Sequence, residues 1–185
     1  MTKLVLSVAV SMLLFSSGTN EPVEASLPAS GNRSQQETKQ LVQANEEIIY
    51  AFTTKNKKEV VVVKDTSNNY IKYRYGNRQH IELEFPAENT KESWNKFQYN
   101  SYWRGGGKEN SGMEIDNLQF TNNGYTYLIY RTYFAENEKQ AAGIIITDAK
   151  GKETRINGVP KSIKGCICNL EDSGLIEKTD IGLSF

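Results

Sequence analysis

The sequence contains little cysteine and almost no histidine, and this narrows the chemistry open to it. Among 185 residues there are two cysteines, Cys166 and Cys168, and one histidine, His80. Two cysteines cannot form the framework of several disulfides on which many small secreted domains depend. They also lack the second pair of ligands that a tetrahedral zinc site requires. A hydrolytic triad that needs histidine would have to use His80.

An excess of one charge and a long apolar run are also absent. The chain has 22 basic and 22 acidic residues, which gives no electrostatic reason to expect nucleic acid as a partner. Residues 4–15, LVLSVAVSMLLF, form an apolar run that is too short to span a bilayer but suits the core of a signal peptide. Residues 1–25 are therefore predicted to be a signal peptide cleaved before Ser26, with cleavage after Gly18 or an uncleaved anchor as alternatives.

This prediction places the protein in a secreted or periplasmic location without stable membrane insertion after cleavage. No cysteine lies near the apolar run, so a lipid anchor on an N-terminal cysteine has no acceptor. Residues 26–45 are polar, with scattered serine and glutamine, and are predicted to be a flexible leader.

From residue 46 to residue 185, strand-forming segments dominate the chain. Short runs of β-branched and aromatic residues alternate with turn signals such as Asn123-Gly124, at intervals of about 8–12 residues. No strand–helix–strand rhythm is present, which disfavours a parallel α/β sheet. The sequence thus predicts an all-β fold, a single antiparallel β-sandwich or barrel of about eight to nine short strands.

Charged residues alternate with apolar ones in two neighbouring predicted strands, YIKYRY and HIELEF. The alternation places Lys72 and Arg74 on one face of the first strand, and Glu82 and Glu84 on one face of the second. We expect these opposite charges to face each other across the two strands, on a solvated face of the sheet.

The spacing of the two cysteines leaves several outcomes open. On a strand, residues i and i+2 lie about 6.5–7 Å apart, near or beyond the reach of a disulfide. A local bridge between Cys166 and Cys168 would therefore need a turn. Unbridged thiols, a tight local disulfide, and intermolecular pairing or a redox role all remain as alternatives.

A glycine-rich segment, SYWRGGGKENSG at residues 101–112, is the main candidate for a ligand-binding loop. It lacks the first glycine, the Ser or Thr and the following helix of a phosphate-binding loop. Tryptophan, tyrosine and arginine dominate binding hot spots, and this loop carries all three. The candidate ligand-binding residues are Tyr102, Trp103, Arg104, Lys108, Asn110 and Ser111. Alternation also allows Trp103 to belong to the core, so a plain connector is the competing interpretation.

Carboxylates offer a second candidate chemistry. Glu82 with Glu84, and Glu114 with Asp116, are pairs that share a strand face, and paired carboxylates hydrolyse glycosides. The same spacing is common on any solvated sheet. No catalytic motif accompanies His80, and neither a metal nor a cofactor is predicted.

In general character, as a small exported all-β domain with a Ser-Gly loop, the chain resembles bacterial lysozyme inhibitors. The local likeness is Asn110-Ser111-Gly112-Met113. The resemblance implies a loop that inserts into the cleft of an enzyme. The leading hypothesis is an exported, non-enzymatic domain that binds a protein or glycan. The alternatives are a small secreted carboxylate-dependent hydrolase and a structural envelope protein without a defined site.

Overall fold

A computed structural model of the chain describes residues 40–185, and this part is built from β-strands with a few short 3₁₀ helices. Three 3₁₀ helices span Lys91–Lys96, Pro160–Ser162 and Ile167–Leu170. The ten strands are β1 (Glu46–Thr53), β2 (Glu59–Asp65), β3 (Ile71–Asn77), β4 (His80–Phe85), β5 (Gln98–Arg104), β6 (Met113–Asn122), β7 (Tyr125–Phe134), β8 (Lys139–Thr147), β9 (Glu153–Asn157) and β10 (Lys164–Gly165). The predicted signal peptide and most of the predicted leader lie outside the described residues.

The strands form two antiparallel sheets of five strands each. Sheet 1 has the order β10-β1-β2-β3-β4, and sheet 2 has the order β5-β6-β7-β8-β9. Apart from β10, every strand pairs with its neighbour in sequence, so each sheet is a series of hairpins. The predicted all-β, antiparallel architecture is confirmed. The described residues contain ten strands rather than eight or nine, because a two-residue strand, β10, pairs with β1.

The inner faces of the two sheets meet in one apolar core. Alternate residues of each strand point inward, as in Val60 and Val62 of β2. Tyr73 of sheet 1 packs on Phe120 of sheet 2 with ring centroids 5.0 Å apart, and Phe85 stacks on the same ring at 4.4 Å. These contacts across the layers make the fold a sandwich and explain why the strands carry so many aromatic residues.

The start of β7 and the start of β5 both follow from their local sequence. Strand β7, Tyr125–Phe134, is a run of β-branched and aromatic residues. Strand β5 begins at Gln98, because Trp94 belongs to the Lys91–Lys96 3₁₀ helix that precedes it. The Trp94 indole is buried and donates from Nε1 to the carbonyl of Asn68 at 3.2 Å.

The outer face of sheet 1 is covered at Lys72 and Arg74, so the prediction that these two residues lie on a solvated face is wrong. The side chains of Lys72 and Arg74 are only 2% and 1% exposed. Arg74 does pair with Glu84 across β3 and β4, with Nε 2.6 Å from Oε2. Glu82 instead binds Lys58 at the surface. The expected cross-strand attraction is present for Arg74, but it operates in a buried environment.

Residues 40–45, which the sequence assigns to the leader, help to cover this outer face. Leu41 is buried with Ala51, Val61 and Val63 in a second apolar cluster. Its carbonyl accepts a hydrogen bond of 2.9 Å from Arg74. Charged groups beneath such a cover must be paired, since an isolated buried charge is costly.

The C-terminal residues lie along the outer face of sheet 2. Asn117 of β6 is fully buried and exchanges two hydrogen bonds of 2.8 Å with the backbone of Ser184. Asn100 donates to the carbonyl of Gly182, and Arg155 of β9 donates to the carbonyl of Phe185. The C-terminal residues thus cover this face of sheet 2 and supply hydrogen-bond partners to the polar side chains beneath them.

Cys166 and Cys168 form a disulfide, which selects the tight local bridge among the alternatives. Their Cα atoms are 5.1 Å apart, closer than strand geometry allows. The chain turns here, because Cys166 precedes the Ile167–Leu170 3₁₀ helix and Cys168 lies within it.

Within residues 40–185, no helix has the length and apolar character needed to cross a membrane.

Candidate functional site

The glycine-rich segment connects β5 to β6, and the pairing of these strands fixes where each candidate residue points. Trp103 lies opposite Glu114, and Tyr102 lies opposite Ile115. Neighbouring strand residues point to opposite faces, so Trp103 is on the inner face of sheet 2, and Tyr102 and Arg104 are on the outer face. The structure therefore separates Trp103 from the two residues that flank it in sequence.

The connection itself, residues 105–112, is folded back on its own backbone. Gly112 donates to the carbonyl of Gly107 at 2.7 Å. Arg104 donates from Nε and Nη2 to the carbonyl of Ser111 at 3.0 and 2.6 Å. Lys108 forms an ion pair of 2.6 Å with Glu138. Arg104 and Lys108 thus hold the loop in shape, while the side chains of Asn110 and Ser111 are exposed.

Trp103 is the most exposed large apolar side chain described, with 72% of its surface accessible. This excludes the interpretation of Trp103 as a core residue. A Cβ atom on Gly105 would lie 2.7 Å from Cη2 of the indole, so the ring lies closely over this glycine. Gly105 therefore allows the indole to rest against the start of the loop without entering the core.

Next to Trp103, the inner face of sheet 2 changes from apolar to charged. Glu114 and Asp116 follow each other on this face of β6, and Arg131 lies opposite Asp116 on β7. Arg131 Nη1 donates to Glu114 Oε2 at 2.7 Å and to Asp116 Oδ2 at 2.9 Å. The predicted carboxylate pair does share a face, and a guanidinium bridges its two members.

The carboxyl groups of Asp116 and Glu171 have pKa values shifted in opposite directions. Burial raises the pKa of Asp116, although Arg131 opposes the shift. The hydrogen bond from Lys178 lowers the pKa of Glu171, and a second bond from Ser101 adds to this effect. Asp116 consequently retains its proton to a higher pH than an ordinary aspartate does.

These groups line a small depression that we call the Trp103 cleft. Besides Trp103, its walls are formed by Ser101, Tyr102, Glu114, Asp116, Cys168 and Glu171. A second shallow hollow lies between Trp103 and the glycine loop and reaches Met113 and Tyr133. Trp103 therefore stands between two hollows with a mixed polar and apolar lining.

Sequence reasoning found only part of this site. It identified Trp103, Glu114 and Asp116, because an aromatic loop and a period-2 carboxylate pair are visible in the sequence. It missed Arg131, Glu171 and Cys168. These residues reach the site through strand pairing and through packing between segments that are distant in sequence. His80 starts β4 in sheet 1 and is exposed, whereas Glu114 and Asp116 lie on β6 in sheet 2.

The described residues contain no group of three or more histidine, cysteine, aspartate or glutamate side chains placed to hold a metal ion. Compared with known proteins, the chain matches no family model, no curated protein and no solved structure.

Proposed function

We propose that this protein is an exported, non-enzymatic binding protein that captures a ligand on Trp103 and the cleft beside it. The observation that carries the proposal is the exposure of Trp103 at the charged end of the inner face of sheet 2. An exposed indole offers a large apolar surface with a polar N–H, and tryptophan is enriched among the residues that dominate binding energy.

The lining of the cleft supports a glycan in preference to a protein. An exposed aromatic ring offers an apolar face for a sugar ring, with polar groups needed at its edge. Ser101, Glu114 and Glu171 supply such groups beside Trp103. Carboxylates accept hydrogen bonds from sugar hydroxyl groups, and the serine hydroxyl both donates and accepts.

The bridge made by Arg131 supports binding rather than glycoside hydrolysis. A single guanidinium nitrogen holds both Glu114 and Asp116. A hydrolase needs one carboxyl group to act on each side of the bond that breaks, and a shared Arg131 partner restrains both groups in one place.

A protein ligand remains the second candidate, because the loop carries the likeness to lysozyme inhibitors. The loop is braced by Arg104 and exposes Asn110 and Ser111. A braced loop loses less conformational freedom on binding than a mobile one, which favours insertion into a cleft. The predicted signal peptide supports export, and we propose a secreted or periplasmic location.

The test is capture by the purified chain on an array of immobilised glycans, with lysozymes as protein ligands in the same experiment. We expect one class to be retained, and Trp103→Ala to weaken capture roughly thirtyfold, as truncation of a hot-spot tryptophan does. Retention of glycans identifies a glycan receptor, and retention of lysozyme identifies an inhibitor.

The matched control is Tyr125→Ala. Tyr125 is also an exposed aromatic residue of sheet 2, but it lies at the opposite end, beside the Asn123-Gly124 turn. Equal losses in the two variants, or capture that neither substitution changes, would rule out the Trp103 cleft as the binding site.

A further inference from the structure

The disulfide in the wall of the Trp103 cleft is poorly suited to a structural role. Only one residue, Ile167, separates Cys166 from Cys168. A disulfide stabilises a fold chiefly by restricting the unfolded chain, and the effect is smallest for the shortest loops. Backbone hydrogen bonds already hold this segment, because the Cys166 N–H donates to the carbonyl of Ile49 at 3.0 Å. The bridge itself connects no distant parts of the chain.

The two sulfur atoms lie in different environments. Cys168 is exposed and faces the cleft, whereas Cys166 is half-buried. Sγ of Cys166 accepts a hydrogen bond from the backbone N–H of Cys168 at 3.3 Å. It also lies 3.9 Å from Oδ2 of Asp116. An attacking group therefore reaches Cys168 first, and charge that develops on Cys166 finds a donor beside it.

Asp116 is placed to exchange a proton with Cys166. The Asp116 side chain is 5% exposed, and burial raises its pKa. The charged and titratable side chains that face it come from five segments of the chain: Tyr50 on β1, Tyr99 on β5, Glu114 on β6, Arg131 on β7, and Glu171 after the last 3₁₀ helix.

We propose that the Cys166–Cys168 disulfide is a redox-active site that oxidises two thiol groups of a ligand in the Trp103 cleft. A ligand thiolate attacks Sγ of Cys168, and a mixed disulfide forms. The bond between Cys166 and Cys168 breaks, its electron pair passes to Sγ of Cys166, and Asp116 supplies the proton. A second ligand thiolate then attacks the ligand sulfur and releases Cys168 as a thiolate.

The reaction converts two ligand thiols into a disulfide and reduces Cys166 and Cys168, so the protein disulfide is the oxidant and each chain reacts once. The thiol can belong to a small molecule or to a polypeptide. This chemistry is separate from the proposed capture of a glycan or protein, because a chain that captures neither would still react with a thiol.

The first test treats the full-length oxidised chain with millimolar reduced glutathione, traps the products with an alkylating agent and maps them by mass spectrometry. We expect glutathione on Cys168 and the alkyl group on Cys166, in a protein whose circular dichroism is unchanged. Glutathione found on Cys166, or a disulfide that stays intact, would overturn the proposal.

A parallel reaction uses an unstructured peptide with two cysteines in place of glutathione. A faster reaction with the peptide assigns the site to polypeptide thiols, and a faster reaction with glutathione assigns it to small thiols. Both results support exchange at Cys168. Failure of both reagents would contradict it.

The second test compares the rate of reduction of the wild-type chain and the Asp116→Asn variant as a function of pH. Below the pKa of Asp116, we expect the variant to react more slowly, on the order of a hundredfold for a lost proton donor. Above that pKa the two reduction rates should become more similar, because Asp116 of the wild-type chain has then lost its proton. A ratio that does not change with pH would show that Asp116 only supports the structure.

Discussion

At the scale of single residues, the clearest feature of the molecule is the buried charge network on the outer face of sheet 1. Arg74 Nη1 and Nη2 donate to the two oxygens of Glu46 at 2.5 and 2.7 Å, while its Nε donates to Glu84. Tyr70 also donates to Glu46, at 3.1 Å. All three guanidinium nitrogens of Arg74 thus have an acceptor, and buried charge is tolerated when it is paired and hydrogen-bonded in this way.

The substitution Glu46→Gln removes one charge from this network and tests its importance. We expect the free energy of unfolding to fall by about 3 kcal/mol, because Arg74 stays buried with less compensation. Chemical denaturation followed by circular dichroism measures the loss. As a control, Glu82→Gln breaks the surface pair with Lys58, and a much smaller loss is expected there.

The penalty of Glu46→Gln should depend on pH. Burial alone would raise the pKa of Glu46, but hydrogen bonds from Arg74, Gln43 and Tyr70 bring it below its ordinary value of 4.5. Because the pKa of Glu46 is lower in the folded than in the unfolded chain, its carboxylate stabilises the fold above the pKa of the unfolded chain. This stability is lost as the pH falls through the pKa of the folded chain. The difference between the two proteins should therefore be full at neutral pH and shrink below about pH 4.5. A constant difference would mean that the carboxylate charge is not responsible.

The same residues show where sequence reasoning reaches its limit. Alternation correctly opposed Arg74 and Glu84, because a period of two fixes which side chains share a face. It placed them in solvent because pattern alone does not reveal that residues 40–45 fold back over the sheet. In the same way, alternation predicted which strand face Trp103 occupies. It did not predict the 72% exposure of Trp103, which depends on where the apolar core ends.

At the scale of elements, the β5–β6 connection determines how Trp103 is presented. The indole rests over Gly105, and Arg104 closes the loop on Ser111. The sequence indicated a loop from three consecutive glycines. It did not indicate that one glycine supports the ring while another, Gly107, takes a positive φ of 59°.

Gly105→Ala tests this arrangement. The new Cβ would lie 2.7 and 2.9 Å from Cη2 and Cζ2 of Trp103, so the indole must move. We expect ligand capture to weaken roughly tenfold while the melting temperature changes little, because the loop contributes no core. Titration on the ligand array and thermal denaturation measure the two effects.

Gly107→Ala is the control within the same loop. A Cβ on Gly107 meets no neighbouring atom, but its positive φ makes alanine unfavourable by about 1 kcal/mol. This variant should lose some stability and keep its capture of ligand. If the two variants behaved alike, contact between Gly105 and Trp103 would not be the cause.

At the scale of the whole molecule, the fold was largely predictable and the site was not. Regular alternation, the Asn123-Gly124 turn and the absence of helical periodicity indicated antiparallel hairpins, and the structure has two sheets built from them. The Trp103 cleft joins the β5–β6 hairpin to the segment around the disulfide, and Cys166 lies 50 residues after Asp116 in sequence. No local sequence pattern predicts this contact, because it depends on how the segment around the disulfide packs against sheet 2.

We propose that an exposed Trp103 forms the surface on which the ligand binds, and tryptophan fluorescence measures this exposure. The chain has two tryptophans, and Trp94 is only 4% exposed, so a soluble quencher should reach Trp103 alone. The measurement is quenching by acrylamide with and without the captured ligand. We predict one accessible and one protected tryptophan in the free protein, and protection of both when the ligand is bound. A bound ligand that leaves Trp103 as accessible as before would contradict the account.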